Sequence, residues 1–407
     1  MTEGTVWHLP IARTHHLSAS AGVLSFVGGA GDFDTAGRIR NPGDLDRQIE
    51  GAMANVAEAL ATEACTLDDV VRLKAHHTAE RDDWEVIAAM ARFFKAEPMP
   101  VISTVPEPLQ PFSGQTIQIQ AIAQRGWRTH SDVRAVPRPV PPRRQALLGG
   151  RTVTGGLRAG EFIAVANRTA EDAEGAVRHP DDAVAQSHFI MEKHAETLAA
   201  LGASLQDCVK MEGYYLGTTH QDWAPPAKAR MSHFREPGPV ATVVPCHRLN
   251  PKEALTKVEV MAMRELRNGH DKYIPREDHW PERVWDWMFP TPYRQAIGLR
   301  STVWLGGQVP AAPYENKGRT VLNGQLIPQT RFTMSYIEDL LRPFGRSPAD
   351  LKLMVCYFKS TGTEAETVAF VKTLADCLGG ALPPMTLVPK LTVASEESVE
   401  IWGVAQG

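Results

Sequence analysis

The octapeptide TLDDVVRL at 66–73 returns as SLQDCVKM at 204–211 and again as SPADLKLM at 347–354. The interval is about 140 residues, the size of a small domain. A repeat of this length constrains the fold more than any composition does, because each copy must make the same local structure. Other landmarks keep the period. A glutamine opens an amphipathic segment at Gln48, Gln186 and Gln329, and a β-rich closing segment recurs as TIQIQAIA (116–123), TKVEVMAM (256–263) and SVEIWGVA (398–405).

Within the first copy, Ile49, Ala52, Met53, Val56, Ala59 and Leu60 fall on one face at helical spacing. The period then drops to two in VVRLKAHHT. It returns to helical in Trp84, Ile87, Ala88, Ala91 and Phe94, before two more strands, VISTV and TIQIQAIA. The third copy repeats the scheme with Phe332, Thr333, Tyr336 and Leu340, then LKLMVCYF, then Phe370, Val371, Leu374 and Leu378. Each unit reads as ββαβαββ, an α+β domain with both helices on one face of a mixed sheet. The expected units span 1–130, 146–267 and 288–407.

The segment 291–308, TPYRQAIGLRSTVWLGGQ, starts the third unit as THHLSASAGVLSFVGGA (14–30) starts the first and, more eroded, TVTGGLRAGEFIAVAN (152–167) the second. Between units, VRAVPRPVPPRRQ (133–145) reads as an extended linker. The longer insertion 268–290 carries Trp280, Trp285, Trp287 and Phe289 and is too aromatic for a free linker, so it is expected to pack on a neighbouring unit. Each sheet has one face left after the helices cover the other. Three such faces bury one another in a pseudo-threefold ring, a trimer made from one chain. A linear string of independent domains is the alternative.

The charge balance limits the partners. A net charge of -4 over 407 residues gives no reason to expect nucleic acid. No apolar run is long enough for a membrane span, and MTEGTVWHLP lacks a signal-peptide pattern. The five cysteines form neither CxxC nor zinc spacing, so free thiols, a cytoplasmic setting and no metal are expected. Gly28-Gly29-Ala30-Gly31 lacks the GxxxxGK[ST] pattern and reads as a turn.

PYRQA with GGQ in unit three, TLDDVVRL and GASLQDCVK before the central strands, PVISTV in unit one and the VEV and VEI closing strands, taken in order, resemble the Rid (YjgF-type) family. The resemblance runs three times over nearly the whole chain. It implies a chorismate-mutase-like fold, a trimeric arrangement and pockets in the clefts between units. It also implies cofactor-free hydrolysis of reactive imines and enamines. In such proteins an Arg pairs with the substrate carboxylate, while a Tyr, the Ser of an SGQ turn and a Glu of the closing strand hold water and substrate.

Carried over by position, the Tyr is Tyr293 in unit three, His15 in unit one and Thr152 in unit two. The turn becomes Gly306-Gly307-Gln308, Gly28-Gly29-Ala30 and Val165-Ala166-Asn167, so its Ser is absent. The Arg position holds Ile102, Ala241 or a near neighbour, and Met385. The carboxylate position holds Glu259, Glu400 and, in unit one, Gln118. Without the guanidinium an incoming carboxylate has no bidentate partner. Arg248, in PCHRLNP just after the altered motif, is the nearest substitute.

Glu400 and Glu259 are therefore candidate acid–base groups, with pKa values expected to rise on burial. Tyr293 or His15 would donate a hydrogen bond. Gln308, Gly307, Asn167, Arg248, His247 and Cys246 are candidate binding residues. Cys246-His247-Arg248 also reads as an ordinary polar loop. His76-His77, Tyr214-Tyr215 and Tyr357-Phe358 occupy matching places on the central strands, where one member of each pair faces the core and the other a cleft. The expected activity is hydrolysis of an imine, enamine or related C–N bond of a small molecule at one or at most two of three unequal clefts. No cofactor is expected, and whether the fused trimer associates further stays open. A non-catalytic small-molecule-binding relative is the alternative. A ring amidohydrolase with three units is a third reading, disfavoured because no Ser/Lys pair recurs. Ribonuclease activity, claimed for some Rid relatives, is disfavoured by the near-neutral charge.

Overall fold

A computed structural model describes residues 15–407 apart from 79–80, 131, 268–269, 273–275, 314–318 and 395. The first residues of unit one and the opening of the insertion 268–290 thus lie outside the described residues.

Unit one contains β1 (Ser18–Ala21), β2 (Leu24–Ala30), α1 (Leu45–Thr62), β3 (Val70–His77), α2 (Asp83–Ala91), β4 (Val101–Pro106) and β5 (Ile117–Gln124). Unit two contains β6 (Arg134–Pro137), β7 (Thr154–Ala159), β8 (Phe162–Arg168), α3 (Ala183–Ala200), β9 (Cys208–Leu216), α4 (His220–Met231), β10 (Val240–Cys246) and β11 (Thr256–Met263). A short hairpin, β12 (Glu265–Arg267) and β13 (His270–Lys272), leads to β14 (Glu277–His279). Unit three contains β15 (Ala296–Leu299), β16 (Thr302–Leu305), α5 (Leu326–Leu341), β17 (Leu351–Lys359), α6 (Glu364–Leu378), β18 (Met385–Lys390) and β19 (Val399–Gln406).

The strand orders repeat: β1-β2-β5-β3-β4, then β7-β8-β11-β9-β10, then β15-β16-β19-β17-β18. In each sheet the pair that flanks the second helix is parallel (β3/β4, β9/β10, β17/β18) and the other pairs are antiparallel. A helical crossover imposes the parallel pair, whereas tight turns or returning loops join the rest. The protein is thus built from three α+β mixed sheets.

The linker differs from the sequence expectation, whereas the insertion packs on a neighbouring unit as expected. Part of the linker, Arg134–Pro137, adds β6 to the free edge of β7, because that edge otherwise leaves its backbone groups unpaired. In the same way β14 of the insertion covers the edge of β15.

Alternation along the central strands decides what meets between units. On β3, Val70, Leu73 and Ala75 join the core under the helices, while Val71 joins an apolar cluster on the opposite face. That second cluster draws on all three sheets, with Phe26, Phe162 and Trp304 in ring contact at its heart. Contacts link β4 to β7 and β8, β18 to β2, and β10 to the start of unit three through the Val240–Arg294 bridge, so each unit touches the other two. The same period sends Arg72, Lys74 and His76 of β3 and Lys210, Glu212 and Tyr214 of β9 inward, where they are buried. Tyr214 and Tyr357 meet there with their hydroxyls 3.0 Å apart. His77 faces the other way and pairs with Asp83 at 3.2 Å, and Tyr215 faces a cleft.

Candidate active site

Three equivalent clefts lie where the parallel edge strand of one unit meets the turn and closing strand of the next. Their contents differ. Between units one and two, Glu259 of β11 is gripped by Arg72, whose Nε and Nη2 donate to its two oxygens at 2.6 and 2.9 Å. Ser103 donates to Glu259 at 3.0 Å, and Lys74 lies 3.0 Å from it and 2.9 Å from Glu212. Burial alone would raise the pKa of Glu259, but the adjacent guanidinium and ammonium hold it far below the usual carboxylate range. The expectation of a raised pKa is therefore wrong for Glu259. It is a committed ion-pair partner and has no proton to give. Asn167 is occupied too: it donates from Nδ2 to the Thr104 carbonyl at 2.8 Å and from its backbone N–H to Ser103 at 2.9 Å.

Between units three and one, Gln118 stands at the carboxylate position and donates to the Leu387 carbonyl at 2.5 Å. His15, Phe33, Phe112 and Met385 narrow this cleft to ≈ 20 Å³, so His15 faces too little space for a substrate.

The cleft between units two and three is open, with a cavity of ≈ 220 Å³. Its floor is Glu400 of β19, packed so closely on the turn that a Cβ at Gly307 would collide with its carboxyl. Ala241 and Val243 of β10 form an apolar side, and Tyr215 and Tyr293 line the wall. Trp285, Trp287 and Met288 from the insertion form another wall. Gln308 stands behind this wall: it accepts a hydrogen bond from Trp285 Nε1 at 3.2 Å and donates to Gln295 at 2.8 Å, so its side chain positions the indole.

Burial, with the nearby Glu397 second, pushes the Glu400 pKa up to about 8. Glu397, on the loop before β19, also faces the cavity, and burial raises it to about 7. Glu397 thus adds to the burial that keeps Glu400 protonated near neutral pH. Lys210 works against this. Its ammonium lies 4.2 Å above the Trp402 ring and donates to Thr242 at 2.5 Å, and its charge lowers the Glu400 pKa. Burial in turn lowers Lys210 to about 7.

The cation of this cavity is Arg230. It sits on α4, whose start is fixed by a reciprocal cap: the Asp222 backbone N–H donates to the Thr219 hydroxyl, and the Thr219 N–H donates to the Asp222 carboxylate. Counting from that start, Trp223, Ala227 and Arg230 form one stripe that faces the cavity. Arg230 Nη1 donates weakly to Ser187 and Thr256, at 3.4 and 3.3 Å. Its Nε and Nη2 are buried with no acceptor, and no carboxylate pairs with it among the described residues.

Arg248, the substitute suggested by sequence, is elsewhere. Its guanidinium is exposed and donates to Asn250, which in turn reaches Asp83 of unit one. Cys246 and His247 also lie outside the open cavity, beside a crevice near Lys390. The Cys246 thiol donates to the Tyr215 carbonyl at 3.3 Å, and burial pushes its pKa to about 12, so it is no nucleophile at neutral pH. The strand simply continues through Cys246, which keeps the three neighbours from converging. Sequence reasoning missed Arg230 and Glu397. The signal for Arg230 was available: a charged residue at i+7 of the stripe that starts at Trp223. Glu397 sits in an irregular loop and had no periodicity to mark it.

Residues 150–264 match the Endoribonuclease L-PSP family, and these residues fall within unit two. No curated protein matches the chain. Among solved structures, a chorismatase is similar over 83% of this chain and 93% of its own, at 14% identity with a TM-score of 0.53. Rv2704 of Mycobacterium tuberculosis, a YjgF/YER057c/UK114 protein, covers 32% of this chain with 98% of its own at 21% identity and a TM-score of 0.27. E. coli TdcF with bound serine covers 32% with 98% of its own at 19% identity and a TM-score of 0.28. No helix among the described residues is long and apolar enough to cross a membrane. The middle third of the chain thus carries the Endoribonuclease L-PSP sequence pattern, and most of its length shares the fold of a chorismatase.

Proposed function

We propose that the three units close into a pseudo-threefold ring and that the chain hydrolyses a small carboxylated enol ether or enamine in the cleft between units two and three, without a cofactor. The observation that carries this reading is the pairing of Glu400, an acid that keeps its proton near neutrality, with Arg230, a buried guanidinium that lacks an anion, on one cavity. Arg230 from α4 takes the place of the family's missing strand arginine.

The chemistry follows from these two groups. Arg230 binds the substrate carboxylate through its free N–H groups. Glu400 gives its proton to the electron-rich carbon of C=C–X, where X is oxygen or nitrogen, and leaves an oxocarbenium or iminium ion. Water adds to that ion and loses its proton to the Glu397 carboxylate. The hemiketal or carbinolamine then collapses to a ketone with X departing as an alcohol or amine. Of the acid–base roles expected from sequence, the raised pKa assigns Glu400 that of the initiating acid.

The fold shared with a chorismatase makes chorismate the first compound to test, because it is a dicarboxylate bearing an enolpyruvyl ether. Pyruvate release would be followed with a coupled dehydrogenase, alongside keto-acid formation from enamines and imines generated in place by an amino-acid oxidase. Acceleration of either over the spontaneous rate, lost in Glu400→Gln, is the expected result. Tight carboxylate binding with no turnover of either class would instead select a binding protein.

A further inference from the structure

The interface between units one and two has a counterpart of the open cavity. Trp84 near the start of α2 and Trp223 near the start of α4 follow similar segments, RDDW and HQDW, after matching strands. Trp223 lines the open cavity, and Trp84 lines a small one of ≈ 30 Å³. The ion pairs around Glu259 and Asp83 fill the inner part of this interface, so only its outer part remains. Two arginines border that remainder. Arg138, from the segment after β6, lies 4.5 Å above the Trp84 ring, and Arg168 ends β8. Arg138 Nη1 and Arg168 Nε are both buried without an acceptor.

The carboxylates beside them are already engaged. Glu171 accepts from Arg144 and from Trp84 Nε1, the latter at 3.3 Å. Asp172 accepts the backbone N–H groups of Glu174 and Ala176, at 3.1 and 2.9 Å, and faces Arg178. Two like charges brought together and left without acceptors repel, and Arg138 contributes, after burial, to lowering the Arg168 pKa to about 10. An anion between them would supply what both lack.

We propose that Arg138, Arg168 and Trp84 form a second binding site, for the head of a small oxyanion such as a carboxylate or phosphate, that ties unit one to unit two. A buried water needs roughly 10–15 Å³, so the cavity admits one oxyanion head and no larger body. Planar guanidinium forks suit a carboxylate or phosphate better than a halide. The site stands apart from the open cavity and does not depend on the activity assigned to it.

The test is thermal unfolding of the full chain in rising phosphate or acetate, with sodium chloride adjusted to constant ionic strength. The wild type should show a saturable rise in Tm with at least one of the two anions, and which one acts identifies the head group. Arg230→Ala should keep the rise, which places it outside the open cavity. Arg168→Gln should weaken the apparent affinity roughly tenfold or more. Arg138→Gln should do the same, but it also loses its stacking on Trp84, so Arg168→Gln carries the decision if Arg138→Gln does not fold. No rise beyond chloride, a rise lost in Arg230→Ala, or a rise unchanged in Arg168→Gln would overturn the proposal.

Discussion

Replacing Glu400 by Gln should stabilise the protein at neutral pH while stopping its chemistry. The carboxyl has a pKa of about 8 in the folded chain against an ordinary value near 4.5. Because the folded pKa is the raised one, the folded state holds a proton that the unfolded chain has already released. The stability this group lends is complete below pH 4.5 and is lost as the pH climbs to about 8. Each pH unit across that window costs about 1.4 kcal/mol, so roughly 3 kcal/mol is lost by pH 7. Gln has the same shape and cannot ionise, so the variant avoids the loss. Urea unfolding of both proteins from pH 4.5 to 8.5 reads the difference directly. The stability gap should be near zero at the acid end and widen with pH, while turnover falls by about 10²–10⁴-fold. A gap that does not grow with pH would mean that Glu400 is an ordinary ionised carboxylate, and the general-acid reading would fall with it.

Arg230→Ala should raise KM for a carboxylated substrate by about tenfold to a hundredfold and leave the chain folded, since the guanidinium has no carboxylate partner to strand; steady-state kinetics with circular dichroism checks both. Lys210→Met removes a cation that lowers the Glu400 pKa, so the alkaline limb of the pH–rate profile should move upward, and a downward shift would contradict the placement of Lys210. Arg72→Met leaves Glu259 buried without its bidentate partner and should cost about 3–5 kcal/mol, most of it recovered in Arg72→Met/Glu259→Met, as measured by urea unfolding. Gly307→Ala should displace Glu400 and cut turnover, read by steady-state kinetics, because the added methyl meets that carboxyl and the Thr242 hydroxyl.

Much of the architecture was legible because it is local. The helical stripe from Ile49 to Leu60, the β period in VVRLKAHHT and the recurrence of both are set by residues a few positions apart, and the observed α1 and β3 follow them. The part of the linker that became β6 was not legible, since an extended segment joins a sheet only if an open edge lies beside it. The mistaken weight on Arg248 has the same origin. Nearness in sequence to the altered motif placed it at the cleft, yet the turn after β10 carries it toward Asn250 and unit one. Arg230, which precedes that motif in the chain, arrives because α4 is capped at Thr219 and presents its third stripe position to the cavity.

Sequence alone determined that one pattern recurs three times along the chain and that Glu259 and Glu400 hold the same place in the closing segments of two of its copies. Only the tertiary structure decided which of them keeps its proton. Glu259 meets Arg72 and Lys74, brought from 187 and 185 positions away in the chain by the packing of unit one on unit two. Glu400 is buried beside a second acid, Glu397, and the Lys210 charge offsets their effect only in part. A carboxyl's charge is fixed by what surrounds it within a few ångströms, and those neighbours come from other units.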